Sequence, residues 1–276
     1  MLAMRTAIIS HQIIARHALQ PAAPLAYAHS LNSKIFDTLN MASSGAFVHW
    51  GVIGSGKTTA AKYAGLQLQA EGRTVIMLHG FDFSHKTDMR TRLQLGVGVP
   101  KEEQPMSSFF NKPTTIIFDH FDWMLKTAYN SKTLETVREL VQESEETQKF
   151  NILFIVDSWE LAMQLRENSC KLLCSPSRWS REELTELFSS MPEAIRNTQS
   201  NQQKEEQIRI CTLSGTPDFV ISPRHIEPSH PRRAAILDSE WRKGTKALEQ
   251  GAQEDEVGRF PDKNGVYHWE DLGKFT

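Results

Sequence analysis

The chain has 276 residues, 39% of them hydrophobic and 23% charged, with a formal net charge of -2. This describes a globular protein with room for one ordinary domain and an appendage, and it leaves no global pull toward nucleic acid or anionic lipid. No apolar run has the length to span a bilayer, and the three cysteines (Cys170, Cys174, Cys211) lack the pairing of a disulfide framework and suit a reducing compartment as buried thiols.

In chain order, residues 1–36 contain no acid, while Arg5, Arg16 and Lys34 stand among Ala, Leu and Ile. That pattern suits a mitochondrial transit peptide, and an amphipathic first helix over "IISHQIIARHAL" serves it as well; few serines and only two arginines favour the helix. Localisation is accordingly expected to be intracellular, cytoplasmic or nuclear, with a mitochondrial address left open. "SKIFDTLNMASSG" predicts a short helix ending at Gly45, "AFVHW" a buried strand, and "KTTAAKYAGLQLQAEG" a helix closed by Gly72. "RTVIMLHG" and "TTIIFDHFD" predict two more strands, separated by a polar stretch of short helix and loops. "SKTLETVRELVQESEE" is an amphipathic helix with Leu134, Val137, Leu140 and Val141 on one side. "FNILFIVDS" is a strand, "WELAMQLREN" a helix and "CKLLCSP" a short fifth strand. Strands that are apolar throughout and alternate with helices predict an α/β fold around a parallel sheet covered on both faces. Beyond Pro176 come two helices, "SREELTELFSSMPEAIRN" and "NQQKEEQIRICTLSG", and from Pro223 a tail with one helix over "AILDSEWRKGTKALEQG" and otherwise irregular.

The chemistry concentrates in "GVIGSGKTTA", residues 51–60, where a predicted strand hands over to a predicted helix. Gly51, Gly56, Lys57 and Thr58 meet the pattern G-x-x-x-x-G-K-[ST]. Glycines at 51, 54 and 56 let successive backbone N–H groups turn inward around a phosphate. Lys57 places a cation on the β and γ phosphates, Thr58 offers a hydroxyl to magnesium, and the helix N-terminus adds its positive end. Gly51, Gly54, Ser55, Gly56, Lys57, Thr58 and Thr59 are thus the candidate nucleotide-binding set. The bland alternative, a flexible turn with an incidental lysine, fits the strand and helix flanks poorly.

This segment resembles the Walker A loop of P-loop nucleoside triphosphatases. The resemblance implies a second motif, an apolar strand ending in a magnesium-binding aspartate, and Asp119 after Ile116, Ile117 and Phe118 supplies it. The strand interposed between the motifs is similar to the AAA+ and STAND branch, in which the Walker B strand is not the immediate neighbour of the P-loop strand, and counts against small-molecule kinases. In that branch the next strand ends in a small polar sensor residue, here Ser158 with Asp157 beside it, and a helical lid follows the fifth strand, here "RWSREELTELF" and "ICTLSGTPDFV". The resemblance therefore divides the chain into an N-terminal helical segment (1–42), a P-loop NTPase core (43–176), a small C-terminal helical lid (177–222) and a partly irregular tail (223–276). It implies a protein that binds ATP with Mg2+ and hydrolyses it to drive a change of shape, acting on a protein client and open to assembly with further copies of itself. The alternatives are a nucleotide-binding switch without efficient hydrolysis, a DNA-handling initiator or helicase-loader ATPase, and a P-loop kinase.

The implied catalytic set is Lys57, Asp119, Asp122 and Ser158. The family's catalytic glutamate follows the Walker B aspartate, but here His120 stands in that place. Asp122, in a D-x-x-D spacing, is the candidate to take over its role, although the second acid of such a pair is structural in several relatives. His120 reads equally as a hydrogen-bonded strand-end histidine, so hydrolysis is expected to be slow. Arg166 and Arg178 are candidate arginine fingers or else surface charges. Lys86, Arg90 and Arg92 read as a solvated face. Arg224, Arg232, Arg233, Arg242 and Lys243 form a basic patch diluted by Glu227, Asp238 and Glu240. Trp159, Trp179, Trp241 and Trp269 read as packing anchors.

Overall fold

The computed structural model describes residues 31–80, 105–123, 130–168, 170–173, 178–190, 200–214, 216–217 and 229–256. Each apolar run expected as a strand pairs with another, and the elements follow as α1 (Leu31–Met41), β1 (Gly45–Trp50), α2 (Lys57–Ala70), β2 (Thr74–His79), β3 (Thr114–Asp119), α3 (Asn130–Thr147), β4 (Phe150–Val156), α4 (Trp159–Glu167), β5 (Lys171–Leu172), α5 (Arg181–Ser190), α6 (Asn201–Ser214) and α7 (Ser229–Glu256). The sheet is parallel throughout, in the order β2-β3-β4-β1-β5. β4 thus lies between the phosphate-loop strand β1 and the acidic strand β3, as the interposed strand in the sequence implied.

Every residue of β1, β3 and β4 is buried, which is why these strands carry no polar alternation. One face of the sheet packs Phe47, Ile117, Leu153 and Ile155 against Ile35 and Leu39 of α1 and the alanines of α2. Phe118 and Phe154 stack 5.1 Å apart on the other face, over Val137, Leu140 and Val141 of α3 and Leu161 and Leu165 of α4. Parallel pairing brings Trp50, His79, Asp119 and Val156 to the same, C-terminal edge of the sheet, where open α/β sheets bind their ligands.

Helices α5, α6 and α7 share a separate core of Trp179, Leu184, Leu187, Phe188, Ile208, Ile210, Cys211 and Ala234. The tail departs from expectation: α7 is one continuous helix over residues 229–256, longer than the segment read as helical. Its buried positions explain this. Ala234 joins the lid core, while Trp241 packs edge-on against Trp50 with ring centroids 5.2 Å apart. One turn on, a Cβ added to Gly244 would lie 2.2 Å from Trp50 Cη2. Gly244→Val is therefore expected to destabilise the protein by about 1–3 kcal/mol through overpacking. Urea unfolding checks it, and an unchanged midpoint would mean that α7 does not dock on Trp50 in solution.

Cys170 and Cys211 are buried free thiols. No helix among the described residues is long and apolar enough to cross a membrane. The segment "IISHQIIARHAL", the residues Lys86, Arg90, Arg92, Cys174, Arg224, Glu227 and Trp269, and the end of the C-terminal tail lie outside the described residues.

Candidate functional site

From Trp50 the chain turns through residues 51–56 into α2. Gly54 (φ +82°) and Gly56 (φ +91°) occupy the left-handed region, which side chains disfavour. Gly56 caps α2 with no side-chain hydrogen bond, so the first N–H groups of the helix are not taken by a capping oxygen. Ser55 N–H closes the loop on Val52 O at 3.2 Å, and Thr59 stands in the first turn of α2. The Lys57 side chain is buried and curls back, donating to Gly51 O (2.5 Å) and Val52 O (2.9 Å). Its Nζ also pairs with Asp157 Oδ1 at 2.8 Å.

Thr58 and Asp119 meet across the sheet edge, Thr58 Oγ1 donating to Asp119 Oδ1 at 2.8 Å. The other oxygen of the fully buried Asp119 lies 2.8 Å from His79 Nδ1, because register sets the last residue of β2 opposite the last of β3. A hydroxyl and a carboxylate in contact beside a phosphate loop fit magnesium, a hard cation that takes oxygen ligands and completes its shell with water and phosphate.

His120 follows Asp119 with φ +53°, a conformation costing roughly 1–2 kcal/mol for a non-glycine residue. The chain is tight there: a Cβ on Gly80 would lie 2.1 Å from His120 O. The ring reaches Asp157 Oδ2 (3.5 Å) through Nδ1 and Asp119 Oδ2 (3.8 Å) through Nε2. The hydrogen bond to Asp157 raises the His120 pKa above its ordinary value against the opposing effect of burial. Burial pushes Asp157 up, but His120 and the Lys57 charge outweigh it and hold its carboxyl at about 2.

Two of the expected catalytic residues are engaged elsewhere. Both carboxylate oxygens of Asp122 accept backbone N–H bonds, from Asp157 at 2.7 Å and Ser158 at 2.9 Å. Burial raises its pKa, and these bonds oppose the rise. Ser158 caps α4, accepting from Leu161 N–H at 3.2 Å and donating to Glu160 Oε2 at 2.6 Å, and the carboxylate that touches Lys57 belongs to its neighbour Asp157. The two finger candidates differ in exposure, Arg166 being buried and Arg178 about a third exposed but already paired. Arg166 is 1% exposed, and Arg178 pairs with Asp238 of α7 at 2.6 Å while lying 5.6 Å from the Trp241 ring centroid.

Sequence reasoning missed four contributors: Asp157 as a partner of Lys57, His79 as a partner of Asp119, and two tryptophans. Trp50 donates its indole N–H to Asp157 O at 3.2 Å. Trp179, at the entry to α5, donates to Ser55 O at 2.9 Å and lies against Gly56, so the lid is bonded directly to the phosphate loop. The strand-end positions of His79 and Asp157 were visible in the sequence, but their partners depend on sheet register.

Residues 47–168 match the model of the ATPase family associated with various cellular activities (AAA), an interval reaching from β1 just past α4. Among solved structures the chain is similar to the Walker-type ATPase of Pyrococcus abyssi, with 11% identity, 84% of this chain and 76% of that one covered, and a TM-score of 0.47. It is similar to RuvB of Thermotoga maritima, with 15% identity, 84% and 73% covered, and a TM-score of 0.47. It is also similar to AMPPCP-bound DnaA of Aquifex aeolicus, with 12% identity, 85% and 89% covered, and a TM-score of 0.40. A comparison with curated proteins found no match.

Proposed function

We propose, on the match of residues 47–168 to the model of the AAA ATPase family, that this chain is a magnesium-dependent ATPase whose nucleotide state sets the position of its C-terminal helices. The observation that carries the reading is the 2.8 Å contact between Thr58 and Asp119, which joins the phosphate loop to the acidic strand across the intervening β4.

The chain's own groups divide the work. The N–H groups around Gly54, Gly56 and the first turn of α2 bind phosphate oxygens, and Lys57 offsets their charge. Thr58 and Asp119 would hold magnesium, which supplies further charge neutralisation at the β and γ phosphates when bound. His79 orients the Asp119 carboxylate from the side away from Thr58. The hydrogen bond from Trp179 Nε1 to Ser55 O supports the coupling, since it would carry a shift of the phosphate loop to the start of α5.

A second reading, a nucleotide-binding switch with inefficient hydrolysis, is favoured by one observation. The residue after Asp119 is a histidine engaged with Asp157, and Asp122 is occupied by backbone N–H groups. Neither arrangement offers the carboxylate that would hold an attacking water in line. Turnover across the four nucleoside triphosphates separates the two readings: steady multiple-turnover hydrolysis of ATP supports the ATPase, and tight binding with at most a single turnover of the bound nucleotide supports the switch.

The metal assignment has its own test. Magnesium is expected to tighten ATP binding to the wild type, and Asp119→Asn to lose most of that gain while binding metal-free ATP nearly as well. Calorimetric titrations with and without magnesium check it. Equal losses under both conditions would make Asp119 a folding residue.

A further inference from the structure

His120 stands in the site with no task in the scheme above, and its placement is enforced. Its φ of +53° puts a non-glycine residue in the left-handed region, and the chain packs tightly there, since a Cβ on Gly80 would lie 2.1 Å from His120 O. Strain kept at a site edge points to a task for the side chain. The ring is bracketed by two carboxylates. Nδ1 lies 3.5 Å from Asp157 Oδ2, and the other oxygen of Asp157 meets Lys57 Nζ at 2.8 Å. Nε2 lies 3.8 Å from Asp119 Oδ2, and the other oxygen of Asp119 accepts from Thr58 at 2.8 Å. The imidazole therefore faces the interval between the phosphate-contacting lysine and the threonine that serves the metal, which is the place of a terminal phosphate. Its side chain is 30% exposed, so it is not sealed into the core. Nδ1 is hydrogen-bonded to Asp157, which selects the tautomer whose lone pair is on Nε2. Asp119 Oδ2 lies closer to His79 Nδ1, at 2.8 Å, and beyond hydrogen-bonding distance of Nε2. Strand order adds direction: β4 separates β3, which ends just before His120, from β1 and its loop. The ring thus stands across the site from the loop N–H groups.

We infer that His120 is a phosphoryl acceptor, its Nε2 taking the terminal phosphate of a bound nucleoside triphosphate to form a phosphohistidine. The inference rests on reading the loop as a nucleotide site. The Nε2 lone pair forms the new N–P bond while the bond from the terminal phosphorus to the bridging oxygen breaks. That electron pair leaves on the diphosphate, one diphosphate for each phosphate captured. The hydrogen on Nδ1 stays with the ring, and the Asp157 carboxylate offsets the positive charge the ring gains. Water that later cleaves the N–P bond returns the imidazole and releases phosphate, so the two steps sum to hydrolysis. A site with no carboxylate aimed at an attacking water reaches the same products through a covalent intermediate.

The test mixes the full chain with magnesium and ATP radiolabelled at its γ-phosphate, at mildly alkaline pH, which favours the neutral ring. Samples are quenched in alkali over a time course beginning at milliseconds, and ATP binding is titrated by calorimetry alongside. The wild type is expected to acquire protein-bound label that survives alkali and is lost in acid, as an N–P bond requires. Mass spectrometry is expected to place it on the His120 peptide, and phosphorus NMR on Nε2. His120→Asn, chosen because asparagine tolerates a positive φ, is expected to bind ATP and take no label. If that variant shows no cooperative melting transition, His120→Gly carries the same comparison, since glycine also accepts this backbone. A wild type that binds ATP without label, an acid-stable label, phosphate on Nδ1 or on another residue, or label retained by the variant would overturn the inference and leave the nucleotide-site reading standing. Binding of ATP by neither protein would overturn that reading, and this inference with it.

Discussion

Lys57→Ala is expected to weaken nucleotide binding by roughly ten- to over a hundredfold, the loss of about 1.5–3 kcal/mol for a charge-assisted contact to a buried phosphate. The structure adds a second consequence. Lys57 is buried, and its ammonium joins Gly51 O, Val52 O and the Asp157 carboxylate at one point. Alanine leaves two loop carbonyls and an anion without that donor, so the loop itself loses its tie. The variant should therefore melt earlier than the wild type as well as bind less tightly. The two effects are separated by titrating ATP well below the melting midpoint of the variant. Binding as tight as in the wild type, by a cooperatively folded Lys57→Ala protein, would mean that the glycine-rich loop is a turn and not a phosphate cradle.

Much of the core was legible because its signals are local. A strand buried on both faces must be apolar at consecutive positions, and "AFVHW", "TTIIF" and "NILFIV" are nearly so. The phosphate loop was legible because its glycines, lysine and threonine are adjacent in the chain. Partnerships made at the sheet edge were not legible, because they depend on which strand ends where. His79 meets Asp119 only because Thr74 pairs with Thr114 and the two strands run to equal length. Asp157 and Ser158 are neighbours at the end of β4, yet the first side chain turns to Lys57 and the second back onto α4, a choice fixed by the α4 cap. In α7 the buried Ala234, Trp241 and Gly244 are diluted by exposed Arg242, Lys243 and Lys246, which hides a docking face that only Trp50 completes. Arg166 is hidden for the reverse reason: it sits in a helix with polar neighbours but points inward, its guanidinium against Met163 Sδ, and so is not the surface charge its sequence setting suggests.

Asp122 gives the clearest test of whether the second acid of "DHFD" serves chemistry or architecture. Its two oxygens accept the N–H groups of Asp157 and Ser158 at the turn that carries the Lys57 partner. Hydrogen bonds to a charged acceptor are worth more than neutral ones, and removing the acceptor leaves both donors unsatisfied in a largely buried turn. Asp122→Ala is expected to cost about 2–4 kcal/mol of stability. Asp122→Asn should lose a substantial part of the same amount, because its amide offers one oxygen while its NH2 must face the remaining N–H as donor against donor. Since the turn also sets Asp157 against Lys57, both variants should alter nucleotide affinity together with stability. A general base would behave differently: its loss lowers turnover by ~100- to 10,000-fold and leaves folding alone. Urea unfolding and ATP turnover on the same preparations decide between the two roles. An unchanged unfolding midpoint with turnover reduced by about a hundredfold would return Asp122 to the chemical step. A lowered midpoint, with turnover falling only in proportion to nucleotide bound, makes it the residue that holds the β4–α4 turn over the phosphate loop.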